Sequence, residues 1–393
     1  MNYLQRSFRG FINLWLAILD ELRSLGRPGP RMIDEFECLV SVLLAVVFAH
    51  ALGAQNVGWA AFSGYMVMRS HVLQSLMRGT LRLVGTAAGA GAALLLAPFT
   101  INSPVAMSLA LAMFGGFTLY FALVGKRSYA WLFTGLTFCM ILIEGMTHSG
   151  ESVVPFAQSR LLEIVAGTVA CLLVSAASTF LVRRRLKSRP AETAAETAVR
   201  KSTLWHAGAM RHSVEAAIAL AFIPWIWAWF GITSLAQSSV TIMAVMMIPV
   251  ASLGPHPLSP VTSRLALRFV GCSVGGLLAI AILLGSHHSP LLMTLGVCLG
   301  VLVGRHIENG NAATSYIGTQ FVLAFLVVLV PDSYSNAVVD PGIDRLAGIL
   351  LGIVILEPVL ILSHLVLGRY SRKAPAQSGE GEKPIPPSNE PTE

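Results

Sequence analysis

The chain has 393 residues, of which 54% are hydrophobic and only 12% charged, with a mean hydropathy of +0.69. An ordinary soluble domain carries about 25% charged residues, so a water-soluble globular enzyme, a disordered chain and a nucleic-acid binder are all excluded. The formal net charge of +7 then reads as the basic excess of cytoplasmic loops in an all-α, polytopic membrane protein. What remains to be read is where the few charges sit.

Residues 1–30 form the first segment. Leu4, Phe8, Phe11, Trp15, Leu19 and Leu22 recur at helical spacing, the pattern of an amphipathic helix lying at the membrane surface. A signal peptide does not fit, because Asp20 and Glu21 follow the apolar run with no small-residue cleavage site. Apolar runs suited to crossing a bilayer then follow at 36–54, 57–69, 79–98, 104–124, 128–147 and 160–182. A second set lies at 213–232, 239–253, 263–285, 289–304, 312–331 and 345–367. That makes twelve spans, with the short runs 57–69 and 239–253 expected to be tilted, broken or extended by polar turns. The organisation expected is a first six-helix repeat over 31–182, a basic cytoplasmic linker over 183–210, a second repeat over 211–367 and a disordered tail over 368–393 rich in Pro, Ser and Glu. Cys38, Cys139, Cys171, Cys272 and Cys298 are scattered through apolar runs and read as small packing residues.

The basic residues alternate with the loops. Twenty-five of the 27 Lys and Arg residues fall in the N-terminal segment, the even-numbered loops with their helix ends, the central linker and the tail. With twelve spans these all lie on one side, which places both termini in the cytoplasm. On this reading most of these residues serve topology. The two exceptions, Arg160 and Arg345, open the sixth and twelfth spans on the opposite side.

An internal repeat relates the exceptions. Leu81-Arg82-Leu83-Val84-Gly85 in the third span matches Leu267-Arg268-Phe269-Val270-Gly271 in the ninth, and Arg160…Gly167 matches Arg345…Gly352. Six spans per copy is even, so the copies are parallel. Arg-x-x-Gly-x-x-x-Gly occurs at Arg82/Gly85/Gly89, Arg268/Gly271/Gly275 and Arg345/Gly348/Gly352, with Glu163 replacing a glycine in Arg160/Glu163/Gly167. The motif runs in both directions across the membrane, as in a three-plus-three inverted repeat within each half. Glycines four apart let helices pack closely, and an Arg three residues earlier shares their face. Each arginine should therefore point to the interior. Anion contact stands beside a structural alternative: snorkelling for Arg82 and Arg268, and ion pairs with Glu163 or Asp344 for Arg160 and Arg345.

Other candidates are fewer. Glu357, next to Pro358 in the twelfth span, is a proton-coupling acid or else a partner for Arg82 or Arg268. Thr137 and Gln320 occupy matching places if Gly135 aligns with Gly318, and could hydrogen-bond a carboxylate or a neighbouring helix. Glu144 and His50 read as helix-end groups, and Trp225, Trp227 and Trp229 as an interfacial belt. His287-His288 lacks the further ligands a metal needs. No Walker loop, Gly-x-Ser-x-Gly or His-Glu-x-x-His pattern is present, so the expectation is no enzyme, no metal, no cofactor and no ATP hydrolysis.

These motifs resemble the fusaric acid resistance protein-like (FUSC) family, which includes the aromatic acid exporters. The resemblance is carried by Arg82-x-x-Gly85-Thr86-x-x-Gly89-Ala90 and its copy at Arg268, by the pair Arg160…Gly167 and Arg345…Gly352, and by Tyr316-Ile317-Gly318-Thr319-Gln320-Phe321 with Ala324-Phe325. It covers about 31–367. It implies a bacterial inner-membrane exporter of organic, often aromatic, carboxylic acids. With no Walker loop the drive expected is the proton motive force, with Arg160 and Arg345 holding anions at the outer side, Arg82 and Arg268 at the inner side and Glu357 coupling protons. The resemblance also suggests a relation to aluminium-activated malate channels, so a passive organic-anion channel is the alternative. A non-transporting envelope scaffold is a third reading, though it has no need of charge at both faces. The partners expected are an organic anion and the lipid bilayer, with a periplasmic adaptor and homo-oligomerisation left open. The large cytoplasmic domains of bigger exporters are not found in this sequence.

Overall fold

The computed structural model describes residues 14–26, 29–148, 150–183, 205–232, 234–252 and 258–373. Leu4, Phe8 and Phe11, most of the basic linker and most of the tail lie outside the described residues, which are helical and contain no strand. A first helix, α1 (14–23), precedes six others: α2 (Pro30–Leu52), α3 (Val57–Val67), α4 (Val72–Thr100), α5 (Pro104–Val124), α6 (Ser128–Thr147) and α7 (Val153–Ser178). Beyond the linker come α8 (Ala207–Phe230), α9 (Leu235–Met246), α10 (Leu258–Gly285), α11 (Pro290–Glu308), α12 (Ala312–Leu329) and α13 (Asp340–Lys373). Each of the twelve apolar runs falls on one of α2–α13.

Local chemistry punctuates them. Pro104 and Pro290 occupy the first helical position of α5 and α11, where a missing N–H costs nothing. Ser103 and Asn311 cap α5 and α12 through their side-chain oxygens. Gly53 and Gly231 close α2 and α8 with φ of 68° and 64°, a left-handed backbone that glycine adopts without strain.

Among the described residues, nine of the helices α2–α13, all but α2, α3 and α9, are long and apolar enough to cross a membrane. The other three depart from a simple span for identifiable reasons. α2 carries Asp34, Glu35 and Glu37 in its first turns. α3 and α9 are only 11 and 12 residues long, and their residues are mostly buried against other helices, so their ends are covered by protein where lipid could not satisfy the backbone.

Packing repeats with the sequence. α4 packs on α6 as α10 packs on α12, and α7 packs on α3 as α13 packs on α9. The glycines make these seams. A Cβ on Gly85 or Gly89 would meet the carbonyl oxygens of Ala130 and Thr134 at 2.4 and 2.3 Å, and one on Gly271 or Gly275 those of Ile317 and Phe321 at 2.8 and 2.4 Å. Gly167 lies against Ala60 and Gly64 of α3, and Gly348 and Gly352 against Ser234 and Ser238 in and before α9. Each Arg-Gly helix thus seats on one of four inner helices: α3, α6, α9 and α12. The most apolar windows of α6 and α12 are 72% and 67% buried, against 39% for α4 and α10. Leu95, Phe99, Met113, Val354 and Leu362 face outward, as a lipid-facing surface requires.

The halves meet along two seams that occupy equivalent places and differ in chemistry. Where α5 meets α8, Gly116 lies against Ala217, Gly115 lies under Leu220, and Ser108 donates to the Ala221 carbonyl at 2.8 Å. Where α11 meets α2, Arg305 pairs with Asp34 at 2.8 Å and His306 with Glu35 at 2.6 Å. α1 straps the second seam. Leu14, Ile18 and Leu22 pack toward Ile307 and Ile317, Ser24 bonds His306 at 2.9 Å and Glu21 bonds Arg31 at 2.7 Å. Trp15 and Leu19 are exposed, so among the described residues of the expected apolar face only Leu22 turns inward. Burial opposes ionisation of Glu21, but the hydrogen bond and charge of Arg31 and the Asn311 amide outweigh it and hold the carboxyl below its ordinary range.

Gly89→Ala should lower unfolding stability in detergent by roughly 1–3 kcal/mol through overpacking. Gly91→Ala in the same helix, with nothing within 4 Å, should be neutral or stabilising by up to about 1 kcal/mol. Thermal unfolding of the two variants checks this, and equal losses would contradict the seam.

Candidate functional site

The motif arginines begin well inside their helices. Arg82 and Arg268 lie ten residues into α4 and α10, about 15 Å along an α-helix and half of the roughly 30 Å hydrocarbon core. Arg160 and Arg345 lie seven and five residues into α7 and α13, which approach from the other face. The four converge on one cavity of about 260 Å³. The four arginines, expected near opposite faces, thus line a single chamber, because helix depth carries all four inward.

All four side chains are buried, at 2–5% exposure. The cavity wall also holds Arg69 and Arg264, with Glu163 and Glu308 as its carboxylates. Six arginines against two glutamates leave an excess of four positive charges around a space with few polar partners. Thr137 and Gln320 join the wall, as do the rings of Trp59, Phe62, Tyr129, Phe133 and Tyr316.

The two halves treat their arginines differently. Arg82 lies 4.1 Å from the Phe133 ring centre and 5.3 Å from that of Phe62, with Tyr129 Oη at 3.4 Å. Arg160 is held by Glu163 at 3.1 Å and lies over Trp59 and Phe156 at 4.7 and 4.9 Å. Ser159 completes the pair by donating to Glu163 at 2.7 Å. The ion-pair alternative thus describes Arg160. In the second half Arg268 donates to Gln320 Oε1 at 2.8 Å, and its Nε is unpartnered, as are those of Arg82 and Arg160. Arg345 leaves both Nε and Nη1 buried without an acceptor. Asp344, its expected partner, instead accepts from Ser234. Among the described residues no carboxylate reaches Arg82, Arg268 or Arg345 within ion-pair distance.

Thr137 and Gln320 face the same chamber but are not equivalent. Gly85 seats on Ala130 and Gly271 on Ile317, which makes Phe133 the counterpart of Gln320 and moves the Gly135/Gly318 alignment by four residues. Four residues are about one helical turn, so both polar side chains still point inward, at different depths. Thr137 also donates to Thr86 at 3.4 Å, so it serves the α4–α6 contact as well. Phe133 offers Arg82 a π-face where Gln320 offers Arg268 an oxygen.

Glu357 takes no part. It is half-buried, does not line the cavity and has no ion pair with Arg82 or Arg268. Pro358 beside it faces an outward groove between α8 and α13. Glu144 pairs with His148 at 3.3 Å, while Trp225 and Trp229 sit together at 5.9 Å between ring centres.

Sequence reading missed the polar group at one end of the chamber. Tyr65 donates to Glu308, and Arg305 joins Glu308 at 3.2 Å to Asp34 at 2.8 Å. Three acidic residues in the first turns of α2 and the run Arg305-His306-Ile307-Glu308 were the available signal. Arg69, Arg264 and Arg305, assigned to topology, contribute to the chamber or its end. Arg264 repeats with Tyr316 the stacking of Arg78 with Tyr129, at 4.5 and 4.8 Å.

Comparison with known proteins meets this geometry. The model of the fusaric acid resistance protein family matches residues 36–216, and that of fusaric acid resistance protein-like sequences matches 228–356. The chain belongs to the fusaric acid resistance protein family. Each family match takes in one Arg-Gly pair of helices. A p-hydroxybenzoic acid efflux pump subunit AaeB from Pantoea ananatis (strain LMG 20103) is 33% identical over 99 residues, 24% of this chain. That match spans 15% of the relative's length. No solved structure matches.

The unpaired guanidinium has a measurable consequence. Arg345→Gln should raise the stability of the anion-free protein by roughly 1–2 kcal/mol, by removing an uncompensated buried charge. Gln320→Leu should lower it by about 1.5–3 kcal/mol, by stripping Arg268 of its acceptor. Thermal unfolding in low salt reads both, and a loss for Arg345→Gln would show that its charge is satisfied.

Proposed function

We propose that this protein is an inner-membrane carrier that exports small aromatic carboxylates, with both termini in the cytoplasm. The observation that carries the reading is the chamber: four buried motif arginines, each with a donor without an acceptor and Arg345 with two, and aromatic rings on the same wall. A carboxylate between Arg268 and Arg345 would take the place of the missing acceptors through charge-assisted hydrogen bonds. The ring would lie toward Phe62, Phe133 and Trp59. A volume of about 260 Å³ is near the lower limit of ligand cavities and suits one ring with its substituents. The AaeB relative named for p-hydroxybenzoic acid efflux makes that acid the first substrate to try.

The driving force follows from charge. Moving one anion out of a cell whose interior is negative releases about 2.3 kcal/mol per 100 mV. The electrical part of the proton motive force is therefore enough for export, and the carboxyl of Glu357 is not needed for it.

Proteoliposomes given an imposed potential and labelled p-hydroxybenzoate test this. Flux toward the positive side is expected, falling at least tenfold in the Arg268→Gln/Arg345→Gln variant while reconstitution is unchanged. Ohmic conductance would favour the channel. Absence of flux for p-hydroxybenzoate, benzoate and salicylate would contradict both transport readings.

A further inference from the structure

Glu163 and Glu308 are the two carboxylates on the chamber wall, and they differ. Both oxygens of Glu163 are occupied: Oε1 accepts from Ser159 and Arg160, and Oε2 pairs with Arg160. Its charge is cancelled within its own turn of helix. Glu308 receives Tyr65 and Arg305 on Oε2 alone, and its Oε1 accepts nothing among the described residues. Nor does Glu308 have a cation to itself. Arg305, 3% exposed, is shared between Glu308 at 3.2 Å and Asp34 at 2.8 Å, with Asn309 also donating to Asp34 at 2.7 Å.

With one guanidinium between two carboxylates, Glu308 has no cation of its own, and its remaining charge is balanced only by the arginines of the chamber wall. Adjacent pairs do not supply the missing cation. Arg183 is committed to Glu37, and Arg31 to Glu21 and Glu35, with Glu35 also at 2.6 Å from His306. The groups facing Glu308 are Tyr65 and Arg69 from the α3 side, Arg305 on α11, Asp34 and Cys38 on α2, and Tyr316 with Arg264 and Arg268 across the chamber. The cavity arginines are the cations a substrate anion would use, so an ionised Glu308 competes with that anion and repels it.

We infer that Glu308 is the proton-binding group of the anion site: an aromatic anion enters the chamber together with a proton on Glu308 and is rejected when Glu308 is ionised. The inference rests on the anion reading of the chamber. The proton comes from water and adds to Oε1, the oxygen without a partner. Oε2 keeps Tyr65, whose hydroxyl can donate or accept, and Arg305 then serves Asp34 alone. No other bond changes. Asp34 could also hold a proton, but it does not line the chamber and its protonation would act only through Arg305. The proton sets affinity on the cytoplasmic side and does not cross with the anion, so one negative charge still leaves per anion; carboxylate export would then be strongest when the cell interior is acid, the condition that accumulated weak acids create.

The test is binding of benzenesulfonate to the purified full-length protein, since a sulfonate keeps its charge across the titration. Tryptophan quenching reports binding through Trp59. Wild-type affinity should weaken toward alkaline pH by up to about tenfold per pH unit, the limit for one linked proton. Titration calorimetry in two buffers of different ionisation enthalpy should show uptake of up to one proton per anion bound. Glu308→Gln should bind at every pH with the affinity that wild type reaches in acid, and should take up no proton. Asp34→Asn gives Arg305 to Glu308 alone, so the weakening should persist but move to lower pH. A flat wild-type titration, or a Glu308→Gln protein that keeps the wild-type slope and proton uptake, would overturn the inference while leaving the anion site standing. Wild-type protein that binds no sulfonate or carboxylate at any pH would overturn the anion site and the inference together. The wild-type titration and calorimetry decide the matter even if Glu308→Gln does not fold.

Discussion

A guanidinium inside a bilayer has no water to solvate it, and the architecture answers to that constraint. Four arginines are carried into the interior, and each travels on a helix whose glycines let it lie backbone to backbone on an inner helix. Without those seams the arginines would stand against lipid. With them, they face a chamber enclosed by α3, α6, α9 and α12. The shortness of α3 and α9 follows, since helices wrapped by others need not span the hydrocarbon themselves.

Duplication supplied the frame, and divergence between its copies created the chemistry. In the first half Glu163, Trp59, Phe62 and Phe133 cover Arg82 and Arg160. In the second half Gly348 stands where Glu163 would be, and Gln320 where Phe133 would be, so Arg345 has no carboxylate beside it and leaves two donors without an acceptor, where Arg82, Arg160 and Arg268 leave one each. The seams between halves diverged in the same way. α5 and α8 join through small residues, as a tight fixed contact does, while α2 and α11 join through ion pairs that reach the chamber at Glu308. A chamber with aromatic rings and a paired Arg160 on one side and an Arg345 without a carboxylate on the other is the outcome of that asymmetry.

Much of this was legible in the sequence. The twelve apolar runs and the six-helix duplication are patterns of composition and spacing, and the Arg-x-x-Gly pattern marked four of the six chamber arginines because helical periodicity fixes which face they share. Depth was harder to read. Loop position put Arg82 and Arg160 near opposite faces, whereas the starts of α4 and α7 bring both to one level. The Thr137–Gln320 equivalence failed by one turn because glycines within α6 and α12 are poor markers of register, and the contacts made by Gly85 and Gly271 are the true ones. Glu357 drew attention as a carboxylate within a span, yet its neighbours in sequence say nothing of which way α13 turns. Glu308 and Tyr65 lie 243 residues apart, and no local pattern joins them.

The central claim is that the space between Arg268 and Arg345 is an anion site. The most direct measurement is an experimental structure of the protein with p-iodobenzoate, whose iodine marks the ring and whose carboxylate marks the charge. The account predicts a carboxylate within hydrogen-bond distance of the Arg268 and Arg345 guanidiniums and an iodine toward Phe62 and Phe133. A saturated complex with the chamber empty and the ligand bound elsewhere, or with Arg345 turned out of the chamber, would contradict it.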